Sequence, residues 1–262
     1  MNDDDDDQSV TDSGDEPVSS RLDRLLTEIS AGKRLRRVIR RSQKITQATG
    51  ILQGLCAGMG PKSVFVDCGA HYGETTLAVV KSGALIHAFE PDPNSWPHLT
   101  EACAAYKNVT LHNVAVDVED GEVALYTSGR FASEEESRSS GSSILANNTG
   151  LANNTGLANN TGLANNTGLD RTNAHTVKTI AILPFLLGLI AKHGRITVLK
   201  LDIEGAELAI LEQLLATDIF ENIGMTLVET HRWLFPEARD RYAAIYSRVA
   251  EHPELNIYLH WI

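Results

Sequence analysis

Cysteine is scarce in this chain of 262 residues: Cys56, Cys68 and Cys103 are the three present. An odd, small count cannot build a disulfide framework. Long apolar runs are missing too. The longest, from Thr179 to Ala191, is shorter than the roughly 20 residues of a spanning helix and contains Pro184. Residues 1–20 contain no base, whereas a secretory leader begins with a basic stretch followed by an apolar one. A secreted disulfide scaffold and an integral membrane protein are therefore not expected, and a reduced, cytoplasmic setting is. Wholesale disorder is excluded by a hydrophobic content of 42%, enough for a real core.

The formal net charge of −11 is unevenly spread. Residues 1–20 hold eight acids, residues 21–46 hold nine bases against two acids, and the remainder holds 14 bases against 24 acids. Residues 1–20 have too few apolar side chains to offset chain entropy and are expected to be a disordered acidic tail. Residues 21–60 read as a basic, amphipathic helical extension: Leu22, Leu25, Leu26 and Ile29, then Leu35, Val38 and Ile39, recur at helical spacing, with Gly32 expected to interrupt it. Arg34, Arg36, Arg37, Arg40 and Arg41 crowd the polar side. Such a helix either packs on the body or meets an anion, nucleic acid or lipid headgroup.

Residues 61–262 change pattern. SVFVD, ALIHAFE, VTLHNVAV, ITVLKLD and MTLVE are continuous and β-branched, as buried parallel strands are. GETTLAVVKSG, NSWPHLTEACAAY and AELAILEQLLAT between them read as helices. The alternation predicts an α/β fold, a doubly wound and mostly parallel sheet with its ligand edge at the strand C-termini. Residues 145–168 are four identical copies of Leu-Ala-Asn-Asn-Thr-Gly. Four hexapeptides cannot stack into a solenoid with a continuous core, so this insertion reads as a flexible polar loop.

Four segments carry chemistry. In Val66-Asp67-Cys68-Gly69-Ala70-His71-Tyr72-Gly73-Glu74, a buried strand ends in an acid and a glycine loop opens a helix. Glycines allow sharp turns and close ligand approach, and a helix start offers free N–H groups. The spacing is not that of a dinucleotide fingerprint, and Asp67 ahead of the glycines repels a pyrophosphate but not an amino group or a sulfonium. Glu90, at the tip of the second strand and before Pro91 and Asp92, suits both hydroxyls of a ribose. Lys200-Leu201-Asp202-Ile203-Glu204-Gly205-Ala206-Glu207 crowds acids at the end of the fourth strand, and Glu229-Thr230-His231 ends the fifth.

The order DCGAHYGETT, AFEPDP, NVAVDVEDGEVALY, SSIL, LKLDIEGAE and VETH resembles the FkbM-type methyltransferases over about residues 61–235. The resemblance implies a class I, Rossmann-like methyltransferase fold and S-adenosylmethionine as cofactor. It implies O-methylation of a hydroxyl on a sugar, glycan or natural product. Asp67, Gly69, Ala70, His71 and Gly73 would then cradle the methionine part, Glu90 with Pro91 the ribose, and Asp117 the adenine. His231 and Asp202 are the candidates for the base that deprotonates the acceptor, with His71 a third. The segment NIYLHWI looks like the sixth strand, which leaves a seventh, antiparallel strand missing. No His/Cys pair has zinc spacing, and no metal is expected, although Asp202, Glu204 and Glu229 have the donors for Mg²⁺. Competing readings are a nucleic-acid methyltransferase with residues 33–44 as an electrostatic arm, and a non-catalytic homologue that keeps the cofactor pocket.

Overall fold

A computed structural model of the chain describes residues 18–128, 143–144, 169–232 and 235–261. The acidic segment 1–17 and the hexapeptide repeat 145–168 lie outside the described residues. The chain divides into two compact units, Met1–Gln47 and Ala48–Ile262.

Helix α1 (Val18–Gly58) contributes to both. It runs unbroken through Gly32, where the sequence predicted an interruption. One glycine costs a helix interior only about 1 kcal/mol, and the flanking Ala31, Lys33, Arg34 and Leu35 are strong helix formers. Within the first unit its aliphatic side chains Ile29, Leu35, Val38, Ile39 and Ile45 are exposed.

In the second unit the strands are β1 (Val64–Cys68), β2 (Leu85–Phe89), β3 (Val109–His112), β4 (Ala115–Asp117), β5 (Gly121–Ser128), β6 (Ser143–Ile144), β7 (Leu169–Ala181), β8 (Ile196–Leu201), β9 (Ile223–Val228) and β10 (Ile257–Tyr258). The helices are α2 (Glu74–Val80), α3 (Trp96–Cys103), α4 (Ile182–His193), α5 (Glu207–Leu215) and α6 (Arg239–Glu251). Six strands form the main sheet in the order β10-β9-β8-β1-β2-β3, every pair parallel. No antiparallel strand joins this sheet among the described residues.

Alternation along β1 divides the core. Val64, Val66 and Cys68 face a cluster built with Ile182 and Leu186 of α4, Leu208 and Leu211 of α5 and Tyr242 of α6. Phe65 faces the other, with Val79 and Val80 of α2, Leu99 of α3 and Ala48 of α1. Both faces of the sheet are thus covered, which is why its strands read as unbroken apolar runs. Pro184 sits in the first turn of α4, where a missing N–H breaks no helical bond.

Two features differ from the sequence reading. VTLHNVAV is not one strand. Asn113 turns aside, donates Nδ2 to the Glu90 carbonyl at 2.9 Å, and sends the chain from β3 into β4 of a second sheet, ordered β4-β7-β5-β6. The long antiparallel pair of β5 and β7 in that sheet was also unforeseen, since its two partners lie on either side of the repeat.

Asn108, part of an Asn-Val-Thr triplet, donates Nδ2 to the carbonyls of Val80 and Ala84 at 3.2 and 2.8 Å, closing the end of α2 over the start of β2. Asn108→Ala is expected to lower unfolding free energy by about 1–2 kcal/mol, read as a shift of the urea midpoint. An unchanged midpoint would deny the side chain this role.

Candidate active site

Strand order reverses direction between β1 and β8, so the loops after them part and open a crevice at the sheet's C-terminal edge. The backbone closes the crevice floor. Asp202 N–H donates to the Cys68 carbonyl at 3.1 Å, and Glu229 N–H to the Leu201 carbonyl at 2.9 Å. Gly69 has φ +81, and a Cβ there would lie 1.8 Å from the Asp202 carbonyl oxygen. No side chain fits, which explains the first glycine of the loop. Gly73 precedes α2 with φ +92.

Lys200 ties the crevice together from below. Its ammonium is 3% exposed and sits 3.0 Å from Asp67 Oδ1 and 3.4 Å from Asp202 Oδ2. It also donates to the Gly69 carbonyl at 2.8 Å. Burial would lower its pKa, but the charges of Asp67 and Asp202 outweigh that and hold it above the ordinary lysine value. Asp67 is 0% exposed, and its Oδ2 accepts from Thr76 Oγ1 at 2.7 Å. Oδ2 is engaged by Thr76 and Oδ1 pairs with the Lys200 ammonium, so Asp67 shapes the site through Lys200 and α2. Cys68 is buried, and burial first, then Asp67, pushes its thiol far above the ordinary range. It is an inert core residue.

Glu90 stands at the tip of β2. Its Oε2 accepts the His71 N–H at 2.7 Å, and its Oε1 accepts the Asp92 N–H at 2.8 Å. Two backbone donors leave further lone pairs on a carboxylate. Burial, then Asp92, raises its pKa to about 7. Half-buried Pro91 carries the chain from Glu90 to buried Asp92, whose Oδ1 accepts from Asn94 N–H at 2.9 Å. Ala70 is buried, and its N–H donates to the Phe89 carbonyl at 2.9 Å. His71 adopts φ 50 and stacks on Tyr72 at 4.0 Å between ring centroids. Burial would lower its pKa, but Glu74 and then Glu90 and Asp92 raise it.

The opposite wall is acidic. Glu204 and Gly205 both take positive φ, 52 and 113, in the turn from β8 to α5. A Cβ on Gly205 would meet the Phe235 ring at 2.3 Å. At the start of α5, Glu207 is fully buried: its Oε2 accepts the Gly205 N–H at 2.6 Å, and its Oε1 accepts the His231 N–H at 2.8 Å. The same Oε1 lies 3.2 Å from His231 Nδ1 and 3.3 Å from Tyr242 OH. His231 Nε2 lies 3.3 Å from Glu204 Oε2 and 3.9 Å from Glu229 Oε1. Burial would depress the His231 pKa, but the hydrogen bond and charge of Glu207, with Glu204 and Asp202, carry it up to about 10. The upward shift favours the charged imidazole, with Glu207 as its nearest counter-charge. Burial also raises Glu204 and Glu229 to about 7, Asp202 adding to both.

The structure thus brings Gly69, Ala70, His71, Gly73, Glu90 and Pro91 to one side of the crevice and Asp202 and His231 to the other. Asp117 is apart. It closes β4 in the second sheet, is buried, and its Oδ1 accepts the Val118 N–H at 2.7 Å. Asp202, Glu229 and His231 each bring a potential metal-ligand atom within 4.8 Å of the others. Sequence reasoning missed the parts of Lys200 and Tyr242. Lys200 could have been found as a cation inside an apolar strand, which demands a buried partner. Tyr242 carries no such signal.

A doubly wound parallel sheet with its crevice at this switch point has the architecture of a class I methyltransferase. The model of the Methyltransferase FkbM domain matches residues 67–259. The chain belongs to this family and is a methyltransferase. A search of curated proteins finds no significant match to the chain.

His231→Ala leaves the Glu207 carboxylate buried without its counter-charge and is expected to cost about 3–5 kcal/mol of stability at pH 6. The folded-state pKa of about 10 exceeds the ordinary 6.5. The contribution is therefore complete below 6.5 and fades as pH rises through about 10. Urea midpoints of the two proteins should converge between pH 7 and 10. Equal midpoints at pH 6 would show that the pair contributes nothing.

Proposed function

We propose that the protein transfers a methyl group from S-adenosylmethionine to a hydroxyl oxygen of a small molecule or glycan. The observation that carries this reading is the acidic crevice at the switch point. Asp202, Glu204 and Glu229 face it, two of them titrating near 7 because they are desolvated among like charges. A sulfonium or ammonium group relieves that repulsion, whereas the phosphates of a nucleic acid increase it.

The residues present fit this cofactor. Glu90 would accept the ribose hydroxyls with the lone pairs left by His71 N–H and Asp92 N–H. The backbone of Gly69 to Gly73 would border the methionine part. When bound, the cofactor supplies an electrophilic methyl group on a sulfonium. The protein's share is to align the acceptor oxygen in line with that methyl and to remove the oxygen's proton.

The base in this reading is Glu229. Its pKa of about 7 suits general-base work at neutral pH. It reaches His231 only at 3.9 Å, whereas Glu204 is engaged at 3.3 Å. His231 orients the two glutamates, and Glu207 fixes His231. Asp202, held by Lys200, adds the negative charge that lifts Glu229.

Glu229→Gln should lower kcat by about 10²–10⁴-fold while leaving S-adenosylmethionine affinity within a few-fold. In the native enzyme kcat should rise with pH through about 7, since the base must be deprotonated, and that limb should vanish in the variant. Radiolabelled methyl transfer to a panel of sugars and polyhydroxylated natural products provides the rates. A variant with native kcat and native pH profile would remove Glu229 from the role. Transfer confined to RNA or DNA would overturn the acceptor class.

A further inference from the structure

Among the exposed side chains of the first unit, α1 carries two stripes. Lys33, Arg36, Arg40 and Lys44 follow one another at spacings of three and four residues, and all four are exposed. Leu35, Val38 and Ile39 follow the same spacing on another face, and Ile45 continues it two turns beyond Val38. These aliphatic side chains are 45–60% exposed. At 3.6 residues per turn the centres of the two stripes lie on opposite sides of the helix, with exposed Arg34, four residues before Val38, at the border of the aliphatic one. No described helix is long and apolar enough to cross a membrane.

Helices that lie in a lipid–water boundary have this division, with a cationic face at the headgroups and an aliphatic face below. Nucleic acid would use the cations and leave the aliphatics in water. A second copy of the helix would cover the aliphatics but bring like charges together along their margins. Charge complementarity and the opposed aliphatic stripe together select an anionic lipid surface.

We propose that residues 33–45 of α1 dock the protein on an anionic lipid surface, Leu35, Val38, Ile39 and Ile45 entering the acyl boundary and Lys33, Arg36, Arg40 and Lys44 contacting headgroup phosphates. The helix lies on the membrane and does not span it. This docking is independent of the acceptor and of the methyl donor.

The test is co-sedimentation of the full chain with vesicles of phosphatidylcholine alone or with one-third phosphatidylserine, at low and high salt. Binding should require phosphatidylserine and weaken with salt. Arg36→Glu and Arg40→Glu should each weaken it by at least about fivefold. The Leu35→Ser/Val38→Ser variant should weaken it roughly tenfold, with the melting transition of the catalytic unit unchanged. Absence of binding to phosphatidylserine vesicles by the native chain would overturn the proposal. So would equal binding to phosphatidylcholine alone, or native binding by the serine variant, which would indicate a purely electrostatic contact such as nucleic acid. Concentration-dependent self-association lost in the serine variant would assign the face to a second copy. Binding that emerges only after removal of residues 1–16 would make the acidic segment, with its eight acids within residues 1–20, the native occupant, and would equally contradict the proposal.

Discussion

One buried ammonium holds the active-site crevice in shape. Lys200 reaches Asp67 at the end of β1, the Gly69 carbonyl in the loop beyond it, and Asp202 at the end of its own strand. A lysine with 3% exposure is tolerable only because those partners replace its water. The arrangement fixes how far β1 and β8 part at the switch point. It also places the Gly69 backbone so near Asp202 that no Cβ could intervene. Removing the ammonium would leave Asp67 charged in a sealed core, so crevice geometry and local stability rest on the same three groups.

A second constraint repeats that logic on the opposite wall. Glu207 is a fully buried carboxylate at a helix start, satisfied by Gly205 N–H, His231 and Tyr242. Its hydrogen bond and charge raise the His231 pKa, and His231 in turn meets Glu204 and Glu229 at 3.3 and 3.9 Å at the crevice rim. Each wall therefore has a buried ion pair beneath it. The buried pairs are structural. Glu204 and Glu229 above the second pair, raised to about 7 by burial and neighbouring charge, are where proton transfer is feasible.

The sheet was legible because its strands are buried on both faces and leave continuous β-branched runs. SVFVD, ALIHAFE, ITVLKLD and MTLVE all became strands of the main sheet. The glycine loop and Glu90 were legible because acids and glycines at strand ends have few other uses. VTLHNVAV was misread as one strand because a polar Asn113 can turn a chain without glycine or proline. The β5–β7 pair escaped because sequence separation hides antiparallel partners. The buried partners of Asp67 and His231 were not legible, for a common reason. Residue type and position at a strand end do not reveal whether a buried counter-ion has already claimed the side chain, and Lys200 and Glu207 are those counter-ions.

The central claim is that the crevice holds S-adenosylmethionine with Glu90 on the ribose. Calorimetric titration of S-adenosylmethionine into the native protein and Glu90→Ala tests it most directly. The account predicts one site per chain in the native protein and an affinity lower by roughly 10- to 100-fold in the variant, from the loss of charge-assisted hydrogen bonds. No binding by the folded native protein, or equal affinity in the two proteins, would contradict it.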